Sequence, residues 1–324
     1  MRLRLAPEET KINFMGFARA AFVLSAGLMV GSVLLFLVVG LNFGIDFRGG
    51  TMITAATETT AEVETYRETL SGLDIGDFSV SRISDLGADL TGATANQVQI
   101  RIEQQGDDPA IQAEVIATVK AALEVTFPGV QYLQTDSVGA KVSGELVRAA
   151  GIAVLLAIGA VLFYIWLRFE WQFSVGAVAA LVHDVVLTIG VFSLIRLEFN
   201  LAIIAAILTI VGYSLNDTVV VFDRVRENLR RFKQTPLADV LNLAINETLS
   251  RTLMTSATTL IALIALFVLG GDVIRGFTFA MIWGVLVGTY SSVFIASPIL
   301  LRLDVRRDFD SDKKAGTQFA DIDA

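Results

Sequence analysis

Charge disappears from this chain in long stretches, and those stretches restrict its fold more than any other feature. Ala20–Ile45, Ala149–Leu167, Thr252–Gly271 and Gly276–Leu301 contain no charged residue. Trp171–Ile195 is interrupted only by His183-Asp184, and Phe199–Phe222 only by Asp217. Each run comes close to or exceeds the roughly 20 residues that a helix rising ~1.5 Å per residue needs to cross ~30 Å of hydrocarbon. A mean hydropathy of +0.63 agrees with an integral membrane protein. The first run is longer than the ~7–15 apolar residues of a signal peptide, so it is expected as a retained span. The fold class expected is a polytopic α-helical membrane protein with six transmembrane helices.

Lys and Arg set the expected orientation. Arg2, Arg4, Lys11 and Arg19 precede the first span, Arg168 follows the second, and Arg224, Arg226, Arg230, Arg231 and Lys233 follow the fourth. Arg302, Arg306, Arg307, Lys313 and Lys314 follow the sixth, whereas the short loops on the opposite side hold only Arg196 and Arg275. Positive flanks stay in the cytoplasm, which places both termini inside and the long loop of residues 46–145 outside. That loop carries 16 acidic and 6 basic residues, an excess that keeps it soluble and argues against nucleic-acid binding. The chain has no cysteine, which excludes disulfides, thiol catalysis and thiolate metal sites. A single histidine leaves too few ligands for zinc, and neither metal nor cofactor is expected.

The outer loop alternates its periodicities. Met52–Thr57, Phe78–Ser84, Gln97–Glu103 and Val130–Thr135 read as strands. Thr59-x-x-Glu62 reads as a capping box opening a helix to about Leu73, and Pro109 opens a second helix to about Phe127, with Ile111, Val115, Val119, Leu123 and Phe127 near helical spacing. Leu86–Asn96 reads as a loop. The order βαββαβ predicts an α+β ferredoxin-like external domain between helices 1 and 2. It offers no histidine, cysteine or phosphate-cradling loop, so no catalytic site is expected and the chain is read as a non-enzyme. At the membrane exit before it, Gly44, Ile45, Asp46, Phe47, Arg48, Gly49, Gly50 and Thr51 form either a helix-to-strand connector or a docking or hinge element.

Polar residues inside the spans are the candidate site. Asp217 lies in hydrocarbon, where a carboxylate costs about 2.5–3.5 kcal/mol on insertion scales and faces a partner or a water path. Tyr213 and Asp217 share a helix face, as do Gly212 and Asn216, while Gly212 and Ser214 are small enough for close helix packing. In the fifth span Arg251, Thr255 and Thr258 form a polar stripe. Counted from the outer helix ends, Asp217 lies about 26 Å and Arg251 about 28 Å inward, so the two can meet if their helices are neighbours. Such a pair is either a static ion pair or a carboxylate whose protonation is set by burial against a nearby cation. His183 and Asp184, near mid-membrane, either hydrogen-bond for shape alone or serve a proton relay or water path. Between the fourth and fifth spans, Asp223–Thr248 reads as an extension of the fourth helix followed by an interfacial amphipathic helix. The tail of residues 304–324 is read as charged and disordered.

Three stretches then carry a resemblance. Gly-Ile-Asp-Phe-Arg-Gly-Gly after the first span, Gly-Tyr-Ser-Leu-Asn-Asp-Thr-Val-Val-Val-Phe-Asp-Arg in the fourth and Arg-Thr-Leu-Met-Thr-Ser-x-Thr-Thr in the fifth occur in order. Together they resemble the SecD–SecF family of bacterial protein export, a branch of the resistance-nodulation-division (RND) superfamily. The resemblance covers about residues 15–303. It implies an RND-type half of six helices that pairs with a SecD-like subunit in the bacterial inner membrane. It further implies work beside the SecYEG channel, with YajC, on a translocating preprotein, promoting late translocation with the proton-motive force. Asp217 then resembles the family's proton-responsive aspartate and Arg251 its paired arginine. The domain organisation that follows is residues 1–45 as cytoplasmic N-terminus and first helix, 46–145 as periplasmic domain, 146–303 as helices 2–6, and 304–324 as cytoplasmic tail. Two other readings are open: a proton-driven small-molecule efflux half, and a passive scaffold of the translocon.

Overall fold

Six apolar helices long enough to cross a membrane carry the chain, as the uncharged runs require. The computed structural model describes residues 10–57, 62–83, 96–106, 108–270, 272–303 and 305. The spans are α1 (Phe14–Val39), α5 (Ala140–Arg168), α6 (Trp171–Ile195), α7 (Leu201–Arg231), α8 (Leu237–Leu269) and α9 (Asp272–Ser291), which continues through a π-helical turn, Ser292–Ala296, into α10 (Ser297–Arg302). Pro298 lacks an N–H for the helix ladder, and the wider turn sits just before it. The Ser297 hydroxyl donates to the Ser292 carbonyl at 3.0 Å and so occupies one acceptor there.

One expectation needs correction. The amphipathic segment after Pro236 is not a separate interfacial helix, because α8 runs unbroken from Leu237 to Leu269. Its apolar face, including Leu237, Val240, Leu241 and Ala244, is buried with Val225 and Leu229 of α7 rather than turned to the membrane surface. Asn242 and Asn246 on the same turns hold the start of α1 and the residue Ile12 ahead of it. The Ile12 and Met15 amides donate to Asn246 Oδ1 and Asn242 Oδ1, each at 2.9 Å.

The external domain is a four-stranded antiparallel sheet of order β3-β4-β2-β5, built from β2 (Gly50–Thr57), β3 (Phe78–Ile83), β4 (Asn96–Ile102) and β5 (Gln131–Val138). Helices α3 (Val63–Ser71) and α4 (Pro109–Thr126) cover one face, which gives the ferredoxin-like arrangement expected from βαββαβ. Ile53, Val98, Ile100, Val119 and Leu123 are in its core, and the rings of Tyr66 and Phe127 stack at 4.2 Å. Ile111 departs from the expected stripe and is exposed. Burial, with Glu124 and Tyr66 nearby, pushes the Tyr132 phenol up to about 12, and its hydroxyl donates to the Lys120 carbonyl at 2.8 Å. Thr59 of the expected capping box, Leu86–Ala95 of the expected loop and the tail apart from Val305 lie outside the described residues.

The membrane exit is more than a turn. Ile45–Arg48 forms one helical turn, α2, closed by Gly49 and Gly50 at φ 73° and 117°. A side chain on Gly50 would strike the Ile102 carbonyl of β4, so glycine is required there by both conformation and space. Next to it β1 (Asn42–Phe43) pairs in parallel with β6 (Glu198–Phe199), the strand that leads into α7. Four side chains close this clasp. Asp46 Oδ2 accepts from the Leu201 amide at 2.9 Å, at the N-terminus of α7. Arg101 of β4 pairs with Glu198 at 2.8 Å and donates to Asn42 Oδ1 at 3.2 Å. The face of the sheet that carries Arg101 is thereby fastened to the C-terminal end of α1 and the N-terminal end of α7.

Candidate functional site in the membrane bundle

The bundle holds two aspartates in different surroundings. Asp184 and its neighbour His183, on α6, are each 1% exposed. Asp184 Oδ1 meets His183 Nδ1 at 2.9 Å. Its Oδ2 accepts from Ser214 of α7 at 2.6 Å and from Ser291 of α9 at 2.8 Å. One carboxylate therefore ties three helices together. The His183 ring stacks on Tyr290 at 6.0 Å, and the Tyr290 hydroxyl lies 2.9 Å from Ser25 Oγ and donates to the Ala21 carbonyl at 3.0 Å, bringing in α1. His183 Nε2 is buried and has no partner among the described residues.

Asp217 is equally enclosed, at 3% exposure, on the inward face of α7 between Ser214 and Val221. Its Oδ2 is buried with no hydrogen-bond partner among the described residues. Arg251 stands on the adjacent α8, exposed, and no ion pair within 4.0 Å joins it to Asp217 among the described residues. The direct pair anticipated from equal depth is thus open in this conformation. Equal depth is necessary for contact, but the rotation of each helix decides it: Asp217 faces inward and Arg251 outward.

The remaining predicted residues divide in the same way. Tyr213 donates to Thr259 at 3.4 Å, across from α7 to α8. Thr255 and Thr258 turn their hydroxyls onto carbonyls of their own helix, at 2.9 Å each to Thr252 and Met254, so they form no relay between them. Asn216 is exposed. Ser214 both donates to Asp184 and packs against Gly288, where an added Cβ would lie 3.1 Å from its own. At Gly212, among the described residues, nothing lies within 4 Å of the position its side chain would occupy. No hydrogen bond among the described residues links the His183–Asp184 network to Asp217.

Sequence reasoning missed Ser25, Tyr290 and Ser291, and a hydroxyl pair between Ser256 and Thr289 at 2.7 Å. Hydroxyls are common in membrane helices and satisfy themselves on the backbone, so none stands out as an ionisable group does. Chemically, the arrangement provides one carboxyl group held by three hydrogen-bond partners and one with an unbonded oxygen. The latter can take up a proton without first breaking a hydrogen bond.

Comparison with known proteins gives a consistent result. Residues 118–306 match the family model for the C-terminal region of the protein export membrane proteins SecD and SecF, and residues 34–61 match the SecD/SecF GG motif. The chain is 52% identical to the protein translocase subunit SecF of Cereibacter sphaeroides, over 100% of this chain and 99% of that one. It is 40% identical to the SecF subunit of Vibrio alginolyticus, over 93% and 92% of the two chains. A crystal structure of the translocon-associated membrane protein SecDF from Thermus thermophilus is similar with a TM-score of 0.81 and 35% identity, covering 94% of this chain and 40% of that one. A crystal structure of SecDF in a super-membrane-facing form is similar with a TM-score of 0.63 and 34% identity, over 97% and 41%. The chain thus spans well under half of the SecDF chains that it matches.

Proposed function

Because the chain belongs to the SecD/SecF family of protein-export membrane proteins, as a SecF-type accessory subunit of the Sec translocase, we propose that it uses the proton-motive force through Asp217. The observation that carries this reading is the buried Asp217 Oδ2 without a hydrogen-bond partner, one helix away from the Arg251 cation. In the proposed cycle a proton from the outer side reaches Asp217 and neutralises it. Its attraction to Arg251 then falls, and α7 and α8 repack. Release of the proton inward restores the attraction. One charge moved through 100 mV supplies about 2.3 kcal/mol, which biases a two-state element by roughly fiftyfold.

The motion has a route outward. Asp46 and Glu198 hold the first turn of α7 to the membrane exit and to Arg101 of the external sheet. A shift of α7 would therefore reach the external domain without crossing a flexible linker. That domain is read as periplasmic, with both termini in the cytoplasm and the protein in the inner membrane, from the distribution of Lys and Arg.

The membrane partner is a SecD-type subunit, with which the matched SecDF structures form one chain. The outward-facing Gly212 and Asn216 of α7 suit close approach by a partner helix. SecYEG, YajC and the emerging preprotein are the further partners in this reading, and no enzymatic step is required. The names of the relatives favour protein export over small-molecule efflux. The test is translocation into vesicles containing the assembled complex, with and without an imposed proton gradient. Asp217→Asn, inserted and assembled normally, should abolish the response to the gradient; a full response would refute the proposal.

A further inference from the structure

A cavity of about 480 Å³ opens at the arginine-rich end of the bundle, lined by Arg168, Asp223, Arg226, Glu227, Arg230 and Arg231. It is built where the end of α5 meets the last turns of α7. Four arginines line it against two carboxylates, and both carboxylates are already engaged. Asp223 accepts from Arg168 at 2.8 and 3.1 Å, and Glu227 accepts from Arg224, outside the lining, at 2.6 Å. By formal charge alone the lining is therefore positive, four cations against two anions.

Two details set it apart from an ordinary positive flank. The guanidinium groups of Arg168 and Arg226 lie 5.1 and 5.6 Å from the centre of the one Phe169 ring, so two like charges share its neighbourhood. Arg226 Nη1 makes a long 3.4 Å bond to the Arg168 carbonyl, and its Nε is buried without a hydrogen-bond partner among the described residues. The surroundings identify the depth. Trp166 and Leu167, each 65% exposed, and Trp171, 59% exposed, bracket Arg168 in the sequence. Exposed tryptophans beside basic residues are the pattern of a helix end at the headgroup level.

We propose that this cavity binds the phosphate of an anionic phospholipid headgroup in the adjacent leaflet. Planar guanidinium forks match phosphate oxygens, and basic pockets between membrane helices are suited to such headgroups. An anion seated there would supply the acceptor that Arg226 Nε lacks and relieve the repulsion between Arg168 and Arg226. It would also brace the inner end of the helix that carries Asp217. This inference rests on the cavity and its depth, not on proton coupling.

The test uses the full chain, with its SecD-type partner, purified in neutral detergent and stripped of lipid. Native mass spectrometry then measures binding of short-chain phosphatidylglycerol, phosphatidylcholine and inorganic phosphate. Phosphatidylglycerol should bind at least tenfold more tightly than phosphatidylcholine, and Arg226→Gln with Arg230→Gln should weaken it tenfold or more. Arg302→Gln, which alters an arginine stacked on Phe22 outside the cavity, should leave it unchanged. If the double variant does not fold, Arg230→Gln alone, at an exposed side chain, should still weaken binding about threefold. Equal binding of the two lipids, or equal binding by wild type and variant, would overturn the proposal. Inorganic phosphate binding as tightly as phosphatidylglycerol would overturn the lipid assignment in favour of a free-anion site.

Discussion

Asp184 and Asp217 are buried in the same bundle on helices that touch, yet their surroundings are opposite. Asp184 shares hydrogen bonds with three residues, His183, Ser214 and Ser291, and so joins α6, α7 and α9. Asp217 keeps a buried oxygen with no hydrogen-bond partner among the described residues, and none of their ion pairs includes it. A buried polar group that is fully bonded rigidifies the structure around it, whereas one left unsatisfied is a strain reservoir or a working group. The comparison separates a fixed frame from a group poised to change state. It also explains why Ser214, only one turn from Asp217, belongs to the frame: it is the peg that sets how α7 is rotated.

The largest effect expected is on the frame. Asp184→Ala removes the group that His183, Ser214 and Ser291 share in the bundle interior and should destabilise the protein by about 3–5 kcal/mol, the range for breaking a buried charged network, read as unfolding in detergent. A loss under about 1 kcal/mol, within ordinary surface substitutions, would dissolve the distinction between the two aspartates. Next in size, Ser291→Ala should lose about 1.5–3 kcal/mol, as for a hydrogen bond to a charged group. Combined with Ser214→Ala in a double-mutant cycle, it should show coupling, because both donors share one carboxylate oxygen. Strict additivity would mean that the two hydroxyls do not share Asp184.

Tyr290→Phe removes a hydroxyl but keeps the ring on His183, so a loss of only about 0.5–1.5 kcal/mol is expected. A much larger loss would move Tyr290 into the essential frame. The smallest effect belongs to the Asp217 helix. Gly212→Leu meets open space and should leave the stability of the isolated chain within about 0.5 kcal/mol. The same substitution should lower the amount of SecD-type subunit that co-purifies; unchanged co-purification would remove Gly212 from the partner-facing surface.

Much of the fold was legible because its signals are local. Uncharged runs define the spans, and strict alternation in Val98, Ile100 and Ile102 defines the central strand β4. Asp217 and the His183–Asp184 pair stood out because an ionisable group in hydrocarbon is rare. What escaped depends on rotation and long-range contact. Helical spacing shows which residues share a face, but not whether that face meets a neighbour, so Gly212 points outward and Arg251 stays apart from Asp217. Arg101 reads as an ordinary polar position on an alternating strand, and only the folded chain brings it to Glu198, 97 residues away, across a parallel pairing of two-residue strands. The amphipathic turns after Pro236 have the period of a membrane-surface helix, and the packing of Val240 and Leu241 on Val225 assigns them to the bundle.

The central claim is that Asp217 changes protonation state while Asp184 holds the frame. It is tested most directly by measuring unfolding free energy and gradient-dependent translocation together for Asp217→Asn in the assembled complex. The account predicts stability within about 1 kcal/mol of the wild type, since no hydrogen bond to Oδ2 is lost, together with loss of the gradient-dependent component of translocation. Retention of gradient-dependent translocation, or a destabilisation as large as that of Asp184→Ala, would contradict it.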